Sequence, residues 1–135
     1  ISIQDPAAGA VVNLLDLKEG DSVLDVCAAP GTKSIFISEV IGRKGKVYAY
    51  DSNEERIKTA KSDLSRNGLN NIIWEQKDAK TDIYPTSKKI LVDVPCTGTG
   101  VIGKKPDIKW RRNPRDINEM AELQLKILQN STVYY

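Results

Sequence analysis

Histidine is absent from the 135 residues. That removes the usual general base and any Ser-His-Asp triad. Cysteine is scarce: Cys27 and Cys96 are too few for a disulfide framework, and without histidine they do not make a zinc site. Chemistry therefore falls to carboxylates, lysine, cysteine or a bound cofactor, with no metal expected. No apolar run approaches the roughly 20 residues that cross a bilayer, and no secretory signal opens the chain. A cytoplasmic protein without membrane contact is the expectation. Glycine-rich phosphate loops are missing too. DVCAAPGTKS, residues 25–34, contains Gly31 alone. A Walker A loop needs glycine directly before lysine and another five places before that glycine. Here Thr32 separates Gly31 from Lys33, and Val26 stands five places before Gly31. The dinucleotide pattern G-x-G-x-x-G fails for the same want of glycine.

What is present is an ordinary globular composition, 40% hydrophobic and 28% charged, on a length that suits one domain with one core. The first residue is not methionine, so part of a longer protein is expected. Net charge is +2, unevenly placed: residues 1–67 hold 9 basic and 10 acidic side chains, residues 68–135 hold 11 and 8. The excess gathers in KKPDIKWRRNPR, 104–115, with six basic residues and one acid. Such a run is either a solvated charged face or a segment that contacts phosphates. Trp110 within it either stacks on a base or packs against the preceding loop.

Hydrophobic periodicity predicts helices over 6–16, 32–42, 52–68 and 114–132, and strands over 22–28, 46–51, 71–76 and 88–95. The third helix has a capping box, Ser52 with Glu55, an apolar face of Ile57, Ala60 and Leu64, and Gly68 to close it. The last helix should bury Ile117, Met120, Ala121, Leu125 and Leu128. Strand alternating with helix predicts a doubly wound α/β sheet with right-handed crossovers. Ligands then bind beyond the carboxyl ends of the strands.

Each predicted strand ends on, or leads into, a small or acidic residue: Cys27, Asp51, Asp78 and Asp93. Backbone N–H groups of residues 30–34 fall at a helix N-terminus, which attracts a carboxylate or phosphate. Asp51, 20 residues past Gly31, occupies the place from which a carboxylate accepts ribose hydroxyls. Asp78 is placed to accept from an adenine amino group. The bland reading of each is a strand-capping acid. Together they describe a nucleoside site with an acidic rim and no pyrophosphate cradle, which suits S-adenosylmethionine better than NAD. Cys96, after Pro95, is either a small turn-filling residue or a group that acts on a base.

Taken together, DVCAAPGTKS at 25–34 and VDVPCTGTGVIGKKPDIKWRR at 92–112 resemble the RNA (cytosine-5) methyltransferases of the Nol/Nop/Sun family. The first is similar to the cofactor motif D-x-C-A-A-P-G-[GT]-K-[ST], the second to D-x-P-C-[ST]-x-x-G. The P-D-I-K-W run most resembles the Fmu/Sun branch, which modifies bacterial small-subunit ribosomal RNA, and Gln4-Asp5 fits the family's Q-D element. The resemblance implies a Rossmann-like class I methyltransferase domain over 1–135, with parallel sheet order 3-2-1-4, truncated before a fifth strand. It implies that Cys27, Ala28, Ala29, Pro30, Gly31, Thr32 and Lys33 wrap the methionine end of S-adenosylmethionine. Asp51 would hold its ribose and Asp78 its adenine side. Asp93 would stand between cofactor and cytosine. Lys33 is either an electrostatic helper or a residue that shapes the loop. RNA contact goes to Lys104, Lys105, Lys109, Arg111 and Arg112, and the expected form is a monomer.

The departures from the family pattern also make predictions. The family's nucleophile lies in a later T-C-[ST] motif that the 135 residues do not contain, and Cys96 matches the cysteine that assists product release. The fragment is thus expected to bind cofactor and not to complete catalysis alone. A methyltransferase of another substrate class, DNA among them, and a non-catalytic RNA-binding module that keeps the fold are the competing readings.

Overall fold

Val23, Leu24 and Val26 make one short apolar run, and in the computed structural model, which describes residues 6–96 and 113–135, they lie at the centre of a four-stranded parallel sheet. The strands are β1 (Ser22–Asp25), β2 (Lys46–Asp51), β3 (Ile72–Gln76) and β4 (Ile90–Leu91), in the order β3-β2-β1-β4. Helices α1 (Pro6–Asn13), α2 (Thr32–Ile41), α3 (Glu54–Asn67) and α4 (Pro114–Thr132) accompany them. The α/β class and the 3-2-1-4 order are those expected. The register sets Val23 beside Val47 and Val47 beside Ile72.

Successive residues of a strand face opposite sides of the sheet, so β1 feeds two cores. Val23 packs with Val12, Ile37, Ile41 and Val47 on one face, while Leu24 and Val26 pack with Tyr50, Tyr84 and Ile127 on the other. A strand covered on both faces reads as continuous apolar sequence, which is why 22–26 lacks alternation. Among the described residues no helix is long and apolar enough to cross a membrane.

Three local expectations are corrected. β4 has two residues where a strand over 88–95 was expected. Its partner β1 ends at Asp25, and among the described residues no strand pairs with the chain past Leu91. The α3 cap is Asn53, whose side-chain oxygen accepts the Arg56 N–H at 3.0 Å, and not the Ser52–Glu55 box. On α4, Ile117, Leu125 and Leu128 are about half exposed, and the buried positions are Ile127 and Ser131. The helix turns a mixed face inward, with Ile127 in the core and the Gln124 and Asn130 amides against loop carbonyls.

Candidate active site

The turn after β1 is tied down at both ends. The Ala28 N–H donates to the Tyr50 carbonyl at 2.8 Å, and the Gly31 N–H donates back to the Ala28 carbonyl at 2.7 Å. The Ala29–Pro30 peptide between them is cis. Gly31 has φ +103°, and a Cβ there would lie 3.2 Å from the Trp74 ring. A side chain is excluded twice over, by dihedral and by contact. Among the described residues no side chain caps α2 at its start, which leaves its first N–H groups at the positive end of the helix for a ligand.

Asp51, at the end of β2, is buried and joins three segments. Its Oδ2 accepts the Ala29 N–H at 3.2 Å, and Oδ1 accepts the Asn53 N–H at 3.0 Å. Arg56 lies 3.5 Å from Oδ2, and its other nitrogen donates to the Ala29 carbonyl. The guanidinium is half exposed, so the ion pair itself is worth little. Its value is geometric, since it links α3 to the turn.

Asp78 follows β3 in a tightly wound loop. Its carbonyl accepts the Thr81 and Asp82 N–H groups, while its own N–H donates to Asp82 Oδ2 at 2.6 Å. Asp93 follows β4, and its Oδ2 accepts from Lys33 Nζ at 2.6 Å, closing a pair between residues 60 positions apart.

These strand ends enclose a cleft of about 520 Å³, walled by Cys27, Ala29, Pro30, Asp51, Asp78, Asp93 and Cys96 among others. That volume lies within the roughly 300–1,000 Å³ usual for small-molecule sites. A second hollow of about 210 Å³ adjoins it across Cys27, Ala29, Pro30 and Asp93, and is lined further by Asp25, Ala28, Thr32 and Lys33. Of the residues singled out in sequence, Gly31 lines neither hollow and lies beneath the turn, against Trp74. Lys104, Lys105, Lys109, Arg111 and Arg112 lie outside the described residues, as do Gln4, Asp5 and Trp110. Sequence reasoning missed Arg56, Lys80, Leu123 and Ile127 on the cleft wall, and Asp25 in the smaller hollow. Arg56 had a usable signal, because the first turn of a helix after an acidic strand end faces that end.

Burial decides the state of two groups. Asp25 is 1% exposed; Ser34 Oγ donates to its Oδ2 at 2.6 Å, and its Oδ1 is buried with no partner among the described residues. Loss of water pushes its carboxyl up to about 7, with neighbouring Asp93 adding to the rise. The Cys27 thiol is pushed up to about 12, first by burial and then by the Asp25, Asp51 and Asp93 carboxylates. Cys27 is therefore a neutral thiol, unsuited to nucleophilic attack, whereas Cys96 is exposed. Iodoacetamide at pH 8 should label Cys96 and spare Cys27, read by peptide mass spectrometry. Labelling of both at similar rates would overturn this assignment.

The strand-end cleft, the acid after β2 and the tight turn together match a known domain. The family model described as 16S rRNA methyltransferase RsmB/F matches residues 12–133. The chain belongs to this family. Within it, the chain is similar to the probable ribosomal RNA small subunit methyltransferase B of Bacillus subtilis (strain 168), 41% identical over 96% of this chain and 30% of that protein. Among solved structures, PH0851 superposes with a TM-score of 0.90 at 36% identity, covering 97% of this chain and 30% of that one. NSun6 from Pyrococcus horikoshii, solved with SFG, superposes with a TM-score of 0.84 at 29% identity, covering 94% and 33%. The chain thus spans about 30% of the length of the curated relatives it matches. The family places the fold among Rossmann-like methyltransferases, as the sequence motifs implied.

Proposed function

We propose that this chain is the cofactor-binding part of an S-adenosylmethionine-dependent RNA methyltransferase that modifies C5 of cytosine, with ribosomal RNA of the small subunit as substrate and the cytoplasm as its place of action. The observation that carries the reading is the convergence of Asp51, Asp78 and Asp93 on one cleft with the Cys27–Lys33 turn. The residues fit a cationic nucleoside. Among the described residues Asp25 Oδ1 is an orphaned buried acceptor, the start of α2 lacks a side-chain cap, and the cleft carries three carboxylates against Arg56 and Lys80.

S-adenosylmethionine, when bound, supplies a methyl group on a sulfonium. Asp51 Oδ1 accepts a single N–H among the described residues and has a lone pair left for a ribose hydroxyl. Asp78 would hold the adenine side, and the turn the amino-acid end. Lys33 fixes the Asp93 carboxylate at the border of both hollows, where a carboxyl would hold a proton at cytosine N3. A thiolate added at C6 would make C5 nucleophilic toward that methyl group; once C5 carries the methyl, loss of the C5 proton to a base and expulsion of the thiolate would restore the ring. That attacking thiolate belongs to the part of the relatives' length not spanned here, and Cys96, on the cleft wall, assists the expulsion. RNA contact is assigned to Lys104, Lys105, Lys109, Arg111 and Arg112. NSun6, with its SFG, supports the cofactor class.

Calorimetric titration with S-adenosylmethionine tests the reading. Saturable binding is expected, weakened in Asp51→Ala by roughly ten- to hundredfold, as for lost hydrogen bonds to a charged group. A folded wild-type chain that shows no heat of binding would leave the fold without this function and favour a non-catalytic RNA-binding module.

A further inference from the structure

Helix α4 buries Ile127 in the core and packs Leu123 against it, and it also reaches two loops through side-chain amides. Gln124 Nε2 donates to the Pro95 carbonyl at 2.8 Å, next to Cys96. Six residues on, Asn130 Nδ2 donates to two carbonyls of the Asp78 loop, Ala79 at 3.1 Å and Asp82 at 3.0 Å. On the same helix, Leu123 and Ile127 form part of the cleft wall itself. The two rims of the cleft, one after β3 and one after β4, thus rest on donors from a single helix.

We propose that Gln124 and Asn130 are positioning residues through which α4 sets the separation of the two cleft rims, and hence the affinity for the adenosine end of the cofactor. The inference rests on the cofactor reading above. The Asn130 bonds are part-buried and the Gln124 bond is exposed, and each such bond adds only about 0.5–1.5 kcal/mol of net stability. What they specify is where the loops stand. Asn130 acts on the more demanding rim, because the Asp78 carbonyl there already gathers the Thr81 and Asp82 N–H groups. The coupling runs both ways: a ligand bridging the rims holds α4 in place, and whatever displaces α4 weakens the ligand.

Two measurements test it. Without ligand, Asn130→Ala should speed hydrogen exchange of the Thr81 and Asp82 amides about tenfold and leave β1 and β2 amides unchanged. Unchanged exchange at 81 and 82, or equal acceleration everywhere, overturns the proposal. With 5′-deoxy-5′-methylthioadenosine as probe, Asn130→Ala should raise Kd about tenfold and Gln124→Ala about threefold. Asn130→Asp, which keeps the shape and loses the donor, should behave like the alanine variant, while Asn130→Gln should recover part of the affinity. Tight binding in all variants overturns the inference and leaves the cofactor reading standing. Failure of wild type to bind either the probe or S-adenosylmethionine sinks the cofactor reading, and the affinity part of the proposal with it; the exchange result then judges the rim-positioning part.

Discussion

Gly31→Ala is expected to destabilise the fold by about 2–4 kcal/mol and to weaken cofactor binding at least tenfold. Two separate costs contribute. At φ +103° an L side chain is strained, which costs roughly 1–3 kcal/mol. The added Cβ would also stand 3.2 Å and 3.4 Å from two Trp74 ring carbons and 3.5 Å from the Ala60 Cβ. Trp74 packs against the core on one side, and α3 buries Ala60 against the sheet, so neither yields without moving an element. The Cys27–Lys33 turn would rise instead, shifting the Ala29 N–H away from Asp51. Urea denaturation and calorimetry read the two effects. Pairing the change with Trp74→Leu should return the contact part and leave the dihedral part, a non-additivity that a double-mutant cycle measures. Equal stability of Gly31→Ala and wild type would contradict this description of the turn.

The second large effect concerns Asp25 and pH. Its carboxyl titrates near 7 in the folded protein against an ordinary 3.8. Between those values the folded state keeps a proton that the unfolded state has released, so stability falls as pH rises. The contribution is complete below about pH 4 and gone above about pH 7, and between pH 5 and 8.5 it amounts to about 3 kcal/mol. Asp25→Asn removes the titration and keeps an oxygen for the Ser34 hydroxyl. At pH 5 the variant should be the weaker protein, carrying a buried N–H pair in place of one hydroxyl proton. At pH 8.5 the order should reverse, because the wild type must then bury a charge. The urea midpoints of the two proteins should cross, with a relative displacement of about 1–3 M over that range. Parallel profiles would show that Asp25 does not titrate there. Lys33 and Asp93 face the same hollow, so ligand occupancy should move the crossing point as well.

Much of the fold was legible because its signals are local. β2 was read to the residue at 46–51 because Asp51 and a following polar helix start bound it. Gly68 closes α3 in the left-handed conformation that its type predicts. The misreadings were of another kind. Ser52 and Asn53 are both capping residues, and the choice fell to Asn53 because Asp51 claims its N–H. The inward face of α4 was misjudged from its leucines, since the groups that meet it lie in other segments: the core around Leu24, Val26 and Tyr84 for Ile127, and the carbonyls of Pro95, Ala79 and Asp82 for the two amides.

By itself the sequence determined the strand–helix order, the glycine at the turn after β1 and the acidic residues that close successive strands. Each follows from dihedral preference or periodicity within a few residues. Only the tertiary structure decided that Lys33 pairs with Asp93 across 60 positions. It also decided that burial and three carboxylates keep Cys27 a neutral thiol, and that Asp25, unremarkable in the motif, keeps its proton up to about pH 7. Those properties depend on which groups share a site from which water has been removed, and packing alone settles that.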